Sequence, residues 1–314
     1  MISSSACVSP HTLTITLSGG TEVEPTNGSD KKFLPIIATV LDQSTQKPST
    51  NPVKVHVSLK VEDPKSGGHD HGDSTRPRGG IAEVGTCASD AECWPGPQST
   101  AGKGMTDGNG QVVFNFNAPV ASGTHTITAT CDGCSSSSPP KTVEVKVPDL
   151  IKIQSTPLLY TLIGAIEGKH TDNHYLTSSA LDIIWGIAAD YHIDRTFWRP
   201  GARGIKRLVP PPPLGFNDAS LIWGGKFDLS GEWKGNHYEH HKGTAIDIRA
   251  NGEAGAVPET LFNSFVKLAA KQNAIAILEC TSNKVDGQGR EPSNGCIGKD
   301  GSSDPNRHFH VRIN

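Results

Sequence analysis

The sequence predicts a multidomain, β-rich protein, with an all-β sandwich over residues 1–148 followed by an α+β domain over residues 149–314. Three observations predict it. Short runs of alternating apolar and polar residues, separated by turn signals, fill the first half. Past residue 148 the apolar residues recur at helical spacing instead. Four residues with metal chemistry, His240, Asp247, His308 and His310, all fall in the second half. A chain of 314 residues is long enough for two domains of ordinary size.

In the first half Val53, Val55, Val57, Leu59 and Val61 alternate with Lys54, His56, Ser58 and Lys60, a strand with one apolar face. Further strands are expected over 12–17, 33–41, 112–116, 124–131 and 143–147. Asp107-Gly108-Asn109-Gly110 is a turn signal between two of them. Short strands with such turns suggest a sandwich. The run from Thr106 to Phe114, with Ala121 to Ala129 after it, resembles bacterial Ig-like repeats of surface proteins. That resemblance implies a module that places the chain at a wall or a protein partner. Residues 65–99 read as a Gly/Ser/Pro-rich insertion whose His69-Asp70-His71 is a solvated loop tip rather than a metal site.

In the second half Leu181, Ile184, Trp185, Ala188 and Tyr191 mark a helix, with Thr177 or Ser178 as N-cap. Leu261, Phe262, Phe265, Leu268 and Ala269 mark another after Pro258. Trp185 and Phe265 are expected in the core. Residues 274–278 form a short apolar strand, and Pro210 to Pro213 an extended stretch that leads into residues 217–227.

Hydrophobic content is 35% and aromatic content 6%, with 34 Gly and 22 Pro, which suits a loop-rich β protein. The formal net charge of -3 offers nucleic acid no basic surface. No run of about 18 apolar residues reads as a membrane span. The start of the chain lacks the basic and apolar regions of a signal peptide, so either a signal was removed or export takes another route. Six of the seven cysteines lie in close pairs: Cys87 with Cys93, Cys131 with Cys134, and Cys280 with Cys296. Cys7 is left over. Close pairing implies disulfides and an extracytoplasmic location in periplasm, wall or medium. Cys131-Asp132-Gly133-Cys134 reads as a small disulfide loop rather than a redox or zinc motif. The Cys280–Cys296 pair would close the loop ahead of the last strand.

Thr244 to Ile248 has apolar residues alternating around Asp247, and His308 to Val311 is also strand-like. Alternation puts His308 and His310 on one face, with Phe309 and Val311 on the other. Gly243 and Ala245 are small enough for the backbone to pass close to a metal. Two neighbouring strands could therefore present His240, Asp247, His308 and His310 to one pocket. Two imidazoles and one carboxylate make a three-ligand zinc set whose fourth position stays open for water.

His240-x-x-Gly243-x-Ala245-x-Asp247, followed by His308-x-His310, resembles the LAS family of zinc peptidases. Residues 217–227 and the ending His308-Phe309-His310-Val311-Arg312 look closest to its penicillin-insensitive murein endopeptidase branch. The resemblance covers the last half of the chain. It implies zinc ligands His240, Asp247 and His310, with His308 beside the metal. It also implies hydrolysis of peptidoglycan peptide cross-links. The alternatives are a D,D-carboxypeptidase or dipeptidase on muropeptides, an antibacterial effector delivered between cells, or a non-catalytic zinc-containing adhesion protein. The chain departs from the family in having Glu239 where many relatives have Ser. It has Arg307 at the position of an acidic base, and Pro305, beside Asp304, where the murein enzymes have a further histidine. His308 is thus the expected general base, with Asp304 and Glu239 next. Arg307 is a candidate for the developing oxyanion, while Arg199 and Arg203 are expected at the solvated surface. His241 is expected to point away from His240 if the segment is extended.

Overall fold

Strand alternation builds the first unit, residues 1–147. The computed structural model describes residues 10–28, 30–61, 68–69, 76–84, 99–164, 170, 172–194, 197–200, 206–209, 211–228, 233, 239–279 and 307–313. Its strands are β1 (His11–Leu17), β2 (Glu22–Val23), β3 (Phe33–Asp42), β4 (Lys54–Val61), β5 (Gly80–Glu83), β6 (Ala101–Met105), β7 (Gln111–Asn117), β8 (Gly123–Cys131) and β9 (Lys141–Val145). They form a four-stranded sheet, β1-β3-β7-β5, and a five-stranded sheet, β2-β9-β8-β4-β6. One apolar cluster joins Ile15, Ile36, Val40, Phe114 and Phe116 of the first sheet to Val55, Val57, Ile127 and Val143 of the second. That is a sandwich, because each sheet has one apolar face and must cover it.

The turn before β7 is held by its own side chain. The Asp107 carboxylate accepts the N–H groups of Asn109 (2.8 Å) and Gln111 (2.9 Å). Gly110 has φ 70°, and a Cβ there would lie 2.5 Å from the Val40 carbonyl oxygen.

Three strands escape the sequence pattern: the two-residue β2, β5 and β6. Residues 80–83 lie inside the expected insertion yet pair with β7, and β6 carries Gly102 and Gly104 in place of alternating apolar residues. Backbone pairing with β4 defines β6, and a Cβ at Gly102 would meet Ile81. His69 departs from the expected solvated tip. It is buried, and its backbone N–H donates to the Ser122 carbonyl oxygen at 3.1 Å. Asp70 and His71 lie outside the described residues. Cys131 and Cys134 form a disulfide, while Cys7, Cys87, Cys93, Cys280 and Cys296 lie outside the described residues.

The second unit, residues 148–314, mixes helix and sheet. Its strands are β10 (Leu150–Lys152), β11 (Tyr160–Leu162), β12 (Tyr175–Thr177), β13 (Phe197–Pro200), β14 (Lys206–Val209), β15 (Leu214–Phe216), β16 (Ala245–Arg249), β17 (Ala274–Glu279) and β18 (His308–Ile313). Five of them form the sheet β11-β15-β16-β18-β17, parallel only between β11 and β15. Two helices, α1 (Ser178–Asp194) and α2 (Phe262–Lys271), pack on one of its faces. Thr177 caps α1, accepting the Ala180 N–H at 3.3 Å.

The core joins Ile184, Ala188 and Tyr191 of α1, Phe265 and Leu268 of α2, and Ile246, Ile248, Phe309 and Val311 of the sheet. Phe309 meets Phe265 at 4.8 Å and Phe262 at 5.0 Å between ring centroids. Trp185 departs from its expected place, being 51% exposed. The buried stripe of α1 runs through Ala180, Ile184, Ile187, Ala188 and Tyr191. Residue 185 stands at its margin, one position round from Ile184. No helix among the described residues is long and apolar enough to cross a membrane.

Candidate metal centre

The helices cover one face of the second sheet, and the chemistry lies on the other. In β18 the burial of Phe309 and Val311 against the helices turns His308, His310 and Arg312 to the opposite side. Asp247 of β16 stands directly opposite His310. Directly paired residues share a face, and the Asp247 Oδ1 to His310 Nδ1 distance is 2.9 Å.

His240 reaches the same point from a single 3-10 turn, His240–Lys242, just before β16. The turn closes on Gly243, at φ 67°, whose N–H donates to the His240 carbonyl oxygen at 3.2 Å. A Cβ on Gly243 would collide with Leu150 and lie 3.2 Å from the Thr177 nitrogen. The glycine therefore seats the turn against β10 and β12. The turn removes the condition on which His241 was expected to point away, while His241 stays outside the ligand group. The segment is not extended there, and both His240 and His241 are buried.

His240, Asp247 and His310 are all buried, and each offers a ligand atom within 4.8 Å of the other two. His240 Nε2 lies 3.4 Å from Asp247 Oδ1. Two imidazole nitrogens and a carboxylate oxygen converging in this way can hold a metal ion. Electrostatics agree with a cation-seeking pocket. Burial by itself would raise Asp247, but the imidazoles of His240 and His308, with hydrogen bonds from His240 and His310, hold it well below the ordinary carboxylate range. Burial would lower His310, yet its bonds to Asp247 and Glu239 push it up to about 10. A cation on Nδ1 would take the place of that proton.

His308 stands one pleat along, partly exposed, with Nε2 3.6 Å from Asp247 Oδ2 and 3.7 Å from Glu279 Oε2. Glu279 pairs with His308 across β17 and β18. No pattern in the sequence marks it, because Glu279 closes an apolar strand and only the pairing brings it to His308. Asp218 was also missed. Its backbone carbonyl accepts the Asp247 N–H at 2.7 Å, and its carboxylate accepts the amides of Asn173 (2.5 Å) and Asn217 (3.0 Å). Burial and the charge of Asp247 push it up to about 6. Its place in the 217–227 segment was the available signal.

The other candidates fare differently. Glu239 is not poised as a base. Its Oε2 lies 2.5 Å from His310 Nε2, and its Oε1 accepts from Arg312 Nη1 at 2.5 Å. Arg307 does not face the centre either. It is buried, donates from Nε to the Ala250 carbonyl oxygen at 2.7 Å, and lies over the Phe262 ring at 5.0 Å. That contact is structural and removes Arg307 as an oxyanion donor. Asp304 and Arg203 lie outside the described residues, as does the side chain of Arg199. A scan against protein-family models and a search of curated proteins find no match for this chain.

Proposed function

We propose that the second unit is a zinc peptidase of the LAS type that cleaves peptide cross-links of peptidoglycan. The observation that carries this reading is the His240, Asp247, His310 triangle on the face of the sheet opposite α1 and α2, with His308 one pleat away. Zinc bound there would supply Lewis acidity to a scissile carbonyl and lower the pKa of a water towards about 7. His308 would take the proton of that attacking water and return it to the leaving amine. Glu279 and Asp247 flank His308 Nε2, with carboxylate oxygens at 3.7 and 3.6 Å, and so fix where its ring stands beside the centre. Asp218 is the alternative carboxylate base. The two-sheet sandwich of the first unit supports an Ig-like placing module, and the Cys131–Cys134 disulfide supports an extracytoplasmic location.

The test is muropeptide analysis of purified sacculi after incubation with the protein, with and without a chelator. Chelator-sensitive loss of cross-linked muropeptides is the expected result. Release of terminal D-alanine without loss of cross-links would redirect the reading to a carboxypeptidase. A second reading, a zinc-containing binding protein, draws on Arg307, a buried cation at the position where several members of the resembled family carry an acidic base. Binding to sacculi with no cleavage under any metal condition would favour it.

A further inference from the structure

The ring nitrogen of His310 that faces away from Asp247 is also engaged. Nδ1 is turned to Asp247 at 2.9 Å, and Nε2 to Glu239 Oε2 at 2.5 Å. The second carboxylate oxygen of Glu239 is held by Arg312 Nη1, also at 2.5 Å. Arg312 and His310 lie on one face of β18, two residues apart, and Glu239 immediately precedes His240 in the chain. One carboxylate thus links the turn that carries His240 to the strand that carries His310.

We infer that Glu239, braced by Arg312, is a positioning residue that fixes the orientation and tautomer of His310 so that Nδ1 is left to the metal. The inference rests on the metal-centre reading above. Its chemistry is the general one of metal-bound imidazoles: the nitrogen away from the metal donates its N–H to a carboxylate, which sets the tautomer and raises the basicity of the other nitrogen. The clamp supplies that charged acceptor from the residue next to His240. It also accounts for Arg312, a half-exposed cation whose role would otherwise be solvation.

The test is zinc titration, by competition with a chromophoric chelator, of the full chain and of Glu239→Ala, Glu239→Gln, Arg312→Ala and His310→Ala. Glu239→Ala should bind zinc 10–100-fold more weakly, the usual cost of losing such a partner. Glu239→Gln, which still accepts the Nε2 proton, should recover part of the loss, and Arg312→Ala should weaken binding less than Glu239→Ala. The zinc-free melting temperature of Glu239→Ala should fall, because the carboxylate also joins the turn to the strand, so zinc affinities are compared at a temperature where every variant is folded. In the zinc-loaded parent, the His310 Nε2 proton should give a strongly hydrogen-bonded nuclear magnetic resonance signal that moves upfield in Glu239→Ala. Equal zinc affinity in the parent and Glu239→Ala would overturn the inference. So would zinc loss in Glu239→Ala and Glu239→Gln as complete as in His310→Ala, since Glu239 would then be a ligand. Full zinc retention by His310→Ala would instead overturn the metal centre itself.

Discussion

Asp247 sits among three imidazoles, and the distances around it separate their roles. His240 and His310 approach one oxygen, Oδ1, and His308 approaches the other. Under the proposed function His308→Asn should keep its zinc and lose 10²–10⁴-fold in rate, roughly the worth of a general base. Zinc analysis beside muropeptide release checks this, and near-full activity would transfer the role to Asp304 or Asp218. A second residue makes a pH prediction in the first unit. His125 is fully buried, stacks obliquely on Phe116 at 5.1 Å and accepts the Gly79 N–H at 3.4 Å. Burial first, and the Arg76 cation second, lower it from 6.5 to about 4. The unfolded chain therefore binds a proton between those values that the folded chain refuses. Stability is present above about pH 6.5 and is lost as pH falls towards 4, by roughly 2 kcal/mol at pH 5. Urea unfolding of the first unit's transition at pH 7 and pH 5 should show this loss, and His125→Gln should flatten it.

At the scale of elements, the 3-10 turn and the strand pair are what make a site from scattered residues. Gly243→Ala should destabilise the second unit by about 1–3 kcal/mol, since φ 67° and the contacts with Leu150 and Thr177 both resist a side chain. It should also weaken zinc binding by shifting His240. Denaturant unfolding and zinc titration check the two effects, and an unchanged transition would mean that the turn relaxes freely. Side-chain burial on β18 and α1 gives a contrast. Phe309→Ala should cost about 3–5 kcal/mol, because Phe309 is fully buried between α2 and the sheet. Trp185→Ser at the margin of the buried stripe of α1, where the side chain is half exposed, should cost less, about 1–2 kcal/mol.

At the scale of the whole molecule, each unit closes its own apolar core, and the two cores share no residue. Residues 148–314 expressed alone should therefore fold and bind zinc as tightly as the full chain. Circular dichroism and zinc titration of the fragment check this. An unfolded fragment would show that the second unit depends on the first.

The sequence by itself was enough for the β-rich two-part plan, the strands with clean alternation, the capped helix after Thr177 and the strand face shared by His308 and His310. These are local properties, written in periods of two and near four, and a strand's period fixes its face before any partner is known. Only the tertiary structure decided the rest. Strands β5 and β6 exist through backbone pairing, which leaves no apolar signature at Gly102 and Gly104. Glu279 and Asp218 reach the centre through strand register and loop packing across long stretches of chain. Glu239 looked like a spare base in the sequence. Folding places it against His310 and Arg312, because a carboxylate's role is set by which donors the fold brings to it.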